Sequence, residues 1–172
     1  RLQRFAAEWE KVTSDQWVLS VISQGFRITF TSPPPRRCRV RVTPLPRETD
    51  KRDALLKELK DLLTKKAVVR VQGSVQYLSE KEGFFSTFFL TPKKSGSWRP
   101  ILNLKPLIRF MRPPPFRMET LAAILLALRP GYWAASLDLK DAYLHVPMHS
   151  SAWKWLRFHL NGAPYEFRVL PF

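Results

Sequence analysis

Phe84-Phe85-Ser86-Thr87-Phe88-Phe89-Leu90-Thr91-Pro92-Lys93-Lys94-Ser95-Gly96-Ser97-Trp98-Arg99-Pro100-Ile101-Leu102-Asn103-Leu104 places two β-prone runs either side of a turn. Phe84 to Thr91 is dense in aromatic and β-branched residues and reads as a strand. Ser95, Gly96 and Ser97 supply turn chemistry, and Pro100 to Leu104 resumes an extended apolar run, so the stretch predicts a hairpin. Its tip, Lys93 to Arg99, is basic. Lys93, Lys94 and Arg99 on so short a tether either neutralise a polyphosphate or simply solvate a hairpin tip.

Outward from this hairpin, towards the C-terminus, Pro113, Pro114 and Pro115 interrupt the pattern. Leu121, Ile124, Leu125 and Leu128 then recur at helical spacing and predict a buried helix over Met118 to Leu128, ended by Pro130 and Gly131. Trp133 to Leu139 reads as a short apolar strand running into Asp138-Leu139-Lys140-Asp141-Ala142-Tyr143. A carboxylate at the end of an apolar strand needs a cation or donors to compensate it. Asp138 is therefore either a ligand for a divalent ion or the cap of the following turn, and capping is the stronger alternative for Asp141. Trp155 to Leu160 and Tyr165 to Val169 are strand-like and joined by Asn161-Gly162-Ala163-Pro164, a hairpin turn.

Towards the N-terminus, Ala54, Leu55, Leu59, Leu62 and Leu63 make Asp50 to Lys65 an amphipathic helix. Ser32 to Arg47, with its run of prolines, reads as an extended arm. Arg1 to Lys11 carries Leu2, Phe5, Ala6 and Trp9 on one helical face, and Ser14 or Asp15 caps a second short helix through Trp17, Leu19 and Ile22. The pattern divides the chain into a helical adapter (1–31), a Pro/Arg-rich arm (32–49) and a main body (50–172).

Composition bounds the partners. With 172 residues, 45% of them hydrophobic and 13% aromatic, the chain can fold a core and is neither wholly disordered nor a multi-domain machine. Its 29 Lys+Arg against 14 Asp+Glu give a net charge of +15, which favours polyanionic partners. Two stretches, Gln16 to Arg47 and Lys93 to Arg117, contain no acid at all. No apolar run is long enough to span a bilayer. A single cysteine, Cys38, excludes an internal disulfide and points to an intracellular protein of cytoplasm or nucleus, not a secreted one. There is no phosphate-loop, dinucleotide-binding or zinc motif, and His145, His149 and His159 share no ligand spacing.

Taken together, Phe84 to Leu90, Pro92-Lys93-Lys94, Gly96, Trp98 to Leu104, Phe116-Arg117-Met118-Glu119-Thr120-Leu121, Leu137 to Tyr143 and Leu170-Pro171-Phe172 resemble the fingers and early palm of a retroelement reverse transcriptase. The likeness covers about Lys51 to Phe172, and its phrases look most like the DIRS group of retrotransposons, related to the gypsy-type elements. The order and spacing of the motifs carry it. The resemblance implies an α+β right-hand polymerase fold, fingers and partial palm. It implies that Lys94, or Lys93, and Arg99 contact the phosphates of an incoming nucleotide. It implies that Asp138, which matches the family's first catalytic aspartate, binds two Mg²⁺ ions (Mn²⁺ is an alternative), with the Leu139 carbonyl as a further ligand. Asp141 and Ala142 line the nucleotide pocket through backbone amides, and Tyr143 crowds the sugar. The implied partners are an RNA or DNA template-primer and deoxynucleoside triphosphates.

In that family an aromatic-x-Asp-Asp turn completes the metal site, and it is expected beyond Phe172. The chain thus reads as an N-terminal fragment, truncated before the second catalytic motif. Alone it is expected to be inactive and prone to aggregate, although the parent would be an RNA-directed DNA polymerase. The alternative is a non-catalytic RNA- or DNA-binding remnant of a retroelement, and a weaker third reading makes Ser32 to Arg47 a protein-docking segment.

Overall fold

A short 3₁₀ turn at Leu2–Phe5 leads into α1 (Ala6–Val12) and α2 (Gln16–Gln24). This computed structural model describes every residue except 1, 35–41, 74–76, 79–82, 94–95, 114, 116, 130, 134 and 172. Asp15 is the cap of α2, accepting from the backbone N–H groups of Trp17 and Val18. Then follow β1 (Val42–Thr43), α3 (Thr49–Thr64), β2 (Val68–Arg70), β3 (Phe85–Ser86), β4 (Phe88–Pro92), β5 (Trp98–Leu102) and α4 (Lys105–Ile108). The chain continues through α5 (Leu121–Ala127), α6 (Ala142–His145), α7 (Ser150–Trp153), β6 (Arg157–Leu160) and β7 (Ala163–Phe167).

The hairpin of β6 and β7 is the centre of the larger sheet. Asn161 and Gly162 both take positive φ, 48° and 74°, the backbone of a tight two-residue hairpin turn. The turn is therefore shorter than the four residues predicted, and Ala163 and Pro164 belong to β7. The other edge of β6 accepts two short strands in succession, β3 against Arg157–Phe158 and β1 against His159–Leu160, both parallel. On the far side β2 pairs antiparallel with β7. Thr43 Oγ1 accepts the Phe88 N–H at 3.0 Å, tying the arm to the point where β3 gives way to β4. Glu166, on the buried face of β7, bridges Arg157 (3.1 Å) and Arg168 (2.7 Å), so its charge is compensated inside the fold.

The predicted strand over Phe84 to Thr91 is in fact two strands in two sheets. Phe85–Ser86 pairs with β6, whereas Phe88–Pro92 turns away and pairs with β5 from Phe88↔Leu102 to Pro92↔Trp98. The reason is burial on both sides. Phe85 and Phe88 are each 1% exposed, and a single straight strand could not bury both against the same layer. Phe88 stacks on Phe158 with centroids 4.6 Å apart, and Phe158 packs in turn on Tyr165 and Phe167. Leu55, Leu59 and Leu62 of α3 complete this core, as their spacing predicts.

The segments set apart as adapter and arm are stitched to the body at several places. Phe26 donates to the Pro147 carbonyl and accepts from His149 N–H, at 2.8 and 3.0 Å. Gly25 makes this approach possible: at φ 94°, a Cβ there would lie 2.6 Å from His149 N.

Two expectations fail. The helix expected over Met118 to Leu128 forms only at Leu121–Ala127 and is not buried: Leu121 is 70% exposed and Leu126 89%. Thr120 caps it through its hydroxyl, but no described element covers it. Likewise none of the described residues within Trp133 to Leu139 forms a strand, and Leu137 is 93% exposed. An apolar pattern states that a segment requires a partner; it does not place that partner among these residues. Among the described residues no helix is long and apolar enough to cross a membrane.

Truncating Phe158, which is fully buried and touches three other rings, is expected to cost about 3–5 kcal/mol. Urea unfolding of Phe158→Ala against the unsubstituted chain measures it, and a loss below about 1 kcal/mol would remove this residue from the centre of the core.

Candidate nucleotide cleft

Three stretches far apart in sequence meet at one cleft of about 440 Å³. The C-terminal half of α3 contributes Glu58, Asp61, Leu62 and Lys65, the β4–β5 hairpin Lys93, Trp98, Arg99 and Pro100, and the 140–144 segment Lys140, Asp141 and Leu144. The hairpin forms as the turn chemistry predicts, closed by Lys93 N–H on the Ser97 carbonyl at 2.7 Å. Lys51 lies over the Trp98 ring at 5.6 Å, linking the tip end of the hairpin to α3.

Asp141 sits at φ 55°, in the left-handed region that is costly for a residue with a Cβ. Its carbonyl accepts from Leu144 N–H at 2.8 Å, so the residue opens α6 without a side-chain cap. Its carboxylate instead meets Lys65 Nζ at 2.8 Å. This hydrogen bond is the largest cause holding Asp141 below the ordinary carboxylate value and Lys65 above the ordinary lysine value; partial burial opposes both shifts, and charge attraction between the two adds to them. Lys65 escapes a sequence reading because it lies 76 residues from Asp141 and resembles any other lysine at a helix end.

The predicted site residues divide into groups. Lys93, Arg99 and Asp141 line the cleft. Ala142 and Tyr143 follow at the start of α6, Tyr143 with 54% of its surface open. Asp138 and Leu139 are exposed on the segment leading into the cleft and do not line it. Lys94 lies outside the described residues, as does Cys38. The three histidines do not converge: His149 caps α7, His159 is buried in β6 where desolvation lowers its pKa, and His145 contacts the Lys140 carbonyl at 3.3 Å. Among the described residues no three His, Cys, Asp or Glu side chains form a metal-binding group. Asp138 offers one carboxylate and that of Asp141 is engaged by Lys65, so the described residues alone do not make a two-ion site.

The fold as a whole has counterparts among solved structures. The native prototype foamy virus protease-reverse transcriptase superposes with a TM-score of 0.61 over 86% of this chain and 19% of that one, at 19% identity. The chain has a reverse-transcriptase-like fold. A second foamy viral protease-reverse transcriptase, in complex with double-stranded DNA, matches 99% of this chain and 32% of its own length, with a TM-score of 0.58 and 16% identity. In sequence, the Transposon Tf2-3 polyprotein of Schizosaccharomyces pombe is 26% identical over 81 residues, 47% of this chain, and the Tf2-4 polyprotein matches equally. The chain spans 6% of the length of those polyproteins. No protein-family model matches it. The reverse-transcriptase-like fold agrees with the α+β architecture and with the retroelement resemblance of the sequence, at the level of fold.

The Lys65–Asp141 pair carries a pH signature. Because the Asp141 pKa is lowered by folding, its contribution is complete above the unfolded carboxylate value of about 4 and is lost as pH falls through the folded value beneath it. Because that of Lys65 is raised, its contribution is complete below about 10.4 and is lost as pH rises above that. A double-mutant cycle with Lys65→Met and Asp141→Asn should give a coupling of about 0.5 kcal/mol at about pH 7, discounted for partial exposure. The same cycle should show the coupling shrinking at both extremes.

Proposed function

We propose that this chain is the nucleotide-entry side of an RNA-directed DNA polymerase from a retroelement, part of a longer enzyme that extends a primer on a template. The observation that carries the reading is the meeting of Lys93 and Arg99 with Asp141 in one cleft, from two segments about forty residues apart in sequence. In this reading the ammonium of Lys93 and the guanidinium of Arg99 receive the phosphates of a deoxynucleoside triphosphate, as point charge and as bidentate fork respectively. The backbone N–H groups of Asp141 and Ala142 approach the same ligand, and the exposed ring of Tyr143 stands beside the sugar. Lys94 belongs to the same basic tip by sequence.

Glu58 and Asp61 on the opposite wall set a limit on this cleft: they repel a polyphosphate that enters along α3 and leave the hairpin side as the favourable path. Asp138, exposed on the approach to the cleft, is the residue proposed to hold Mg²⁺ when the longer enzyme supplies further carboxylates. A divalent ion there would neutralise phosphate charge and lower the pKa of the attacking hydroxyl. The resemblance to foamy viral enzymes, one of them bound to double-stranded DNA, supports a nucleic-acid partner.

Two experiments test the proposal. Titration of the chain with a fluorescent deoxynucleoside triphosphate should give saturable binding that the Lys93→Gln/Arg99→Gln double variant weakens about 10- to 100-fold. Binding that is absent in the unsubstituted chain, or indifferent to the double variant, overturns it. In the longer polyprotein, Asp138→Asn should abolish primer extension while leaving template binding within about threefold of the unsubstituted enzyme.

A further inference from the structure

The two acid-free stretches of the sequence, Gln16 to Arg47 and Lys93 to Arg117, are brought together by backbone hydrogen bonds away from the nucleotide cleft. Thr31 N–H donates to the Phe110 carbonyl and Arg112 N–H to the Thr29 carbonyl, both at 2.9 Å, with Phe30 and Met111 forming the antiparallel bridge between them. Beside this ribbon lies a groove of about 410 Å³. Its lining is largely apolar, with the half-buried Phe26, Ile28 and Met111 and the exposed Ile108 and Trp17, and the exposed Arg27 and Arg112 complete it. Among the described residues no carboxylate lines it. The nearest acid in sequence, Asp15, is committed to capping α2.

Trp17 is 58% exposed. It is nevertheless held in place, edge to face with Phe26 at 6.4 Å and 89° between planes. A ring that is fixed yet open loses little entropy when a flat partner stacks on it. Two guanidinium groups lining the same groove complement phosphate rather than any neutral ligand.

We infer that this groove is a second nucleic-acid contact, taking an unpaired strand with one base against Trp17 and its flanking phosphates at Arg27 and Arg112. The pairing of an aromatic platform with basic groups is the chemistry by which single strands are held without sequence preference. Phosphates and base faces are common to RNA and DNA, so the groove binds both alike. A paired duplex, whose bases are already stacked, has none to offer Trp17. An acidic peptide with an aromatic side chain would match the charge and the apolar lining, but it brings no regular spacing of anions to two arginines. The inference goes beyond the nucleotide cleft and does not need that cleft to bind a triphosphate.

The test uses the full 172-residue chain and fluorescein-labelled oligothymidylate and oligouridylate of about fifteen nucleotides, followed by fluorescence anisotropy over a range of salt. Trp17→Ala should weaken both oligomers about tenfold, and Trp17→Phe should restore binding to within about threefold. Arg27→Gln with Arg112→Gln should flatten the log-log salt slope by about 1.4, that is about 0.7 for each phosphate no longer neutralised. Thermal melting of each variant separates an altered groove from an altered fold, which the exposed position of Trp17 makes an unexpected outcome. The inference is overturned by unchanged affinity in Trp17→Ala, by failure of Trp17→Phe to restore binding, or by a salt slope that the arginine variants leave alone. It is also overturned if an aromatic acidic peptide, and not the oligomers, loses binding in Trp17→Ala. Failure of triphosphate binding together with retained, Trp17-dependent strand binding would count against the polymerase cleft and leave this groove standing.

Discussion

The stack of Phe88 on Phe158 connects the two sheets, and the position of everything around the cleft follows from it. Phe158 lies in β6, the strand that carries β3 and β1 along one edge and β7 along the other. Phe88 begins β4, so the basic hairpin is anchored at its root by an aromatic contact in the middle of the core. The helix α3 is packed on the same core through Leu55, Leu59 and Leu62. The 140–144 segment is held from its other side, where Leu170 N–H donates to the Val146 carbonyl and Met148 N–H to that of Arg168. The cleft is the space left where these three anchored pieces fail to touch. The Lys65–Asp141 pair reaches across it to join α3 to the 140–144 segment, through a surface interaction of modest strength.

Charge on this molecule is arranged by segment. Much of the net +15 comes from stretches devoid of acid, whose bases the fold divides between the hairpin tip and a ribbon where the two stretches meet. Lys93 and Arg99 share their cleft with Glu58 and Asp61, a lining of mixed charge. The ribbon of residues 29–31 and 110–112 faces no acid among the described residues lining its groove. A uniformly basic surface would bind polyanions everywhere and position none of them. The cleft contains acids among its lining residues and the groove, among the described residues, contains none.

Much of this was legible from residues alone, and what was not has a common cause. The β4–β5 hairpin, the helix α3 and the β6–β7 hairpin announce themselves through periodicity and turn chemistry, which are local properties. Asp15 declares its helix in the same way. The division of Phe84 to Thr91 between two sheets is not local, because aromatic propensity says that a strand forms without saying beside what. The exposure of Leu121 to Leu126 and of Leu137 before Asp138 has the same origin. Lys93, Arg99 and Asp141 could be named from the order of motifs, whereas Lys65, Trp98 and Lys140 join them only through the fold. Thr43, whose hydroxyl accepts from Phe88 N–H across 45 residues, gave no sign in a stretch that read as an extended arm.

The order of strands in the larger sheet also sets a timetable. β1 and β3 are made early on the ribosome, yet the edge on which both lie belongs to β6, which is synthesised long after them. Until Arg157 and the residues after it are made, the growing chain lacks the strand to which β1 pairs, and translation of the interval from Thr43 takes on the order of ten seconds. Once made, Phe88 and the buried leucines of α3 wait for Phe158, which completes their core. The nascent chain is therefore most exposed to chaperones, and to self-association, in the period just before its central hairpin emerges, and the parallel pairings of high sequence separation form last.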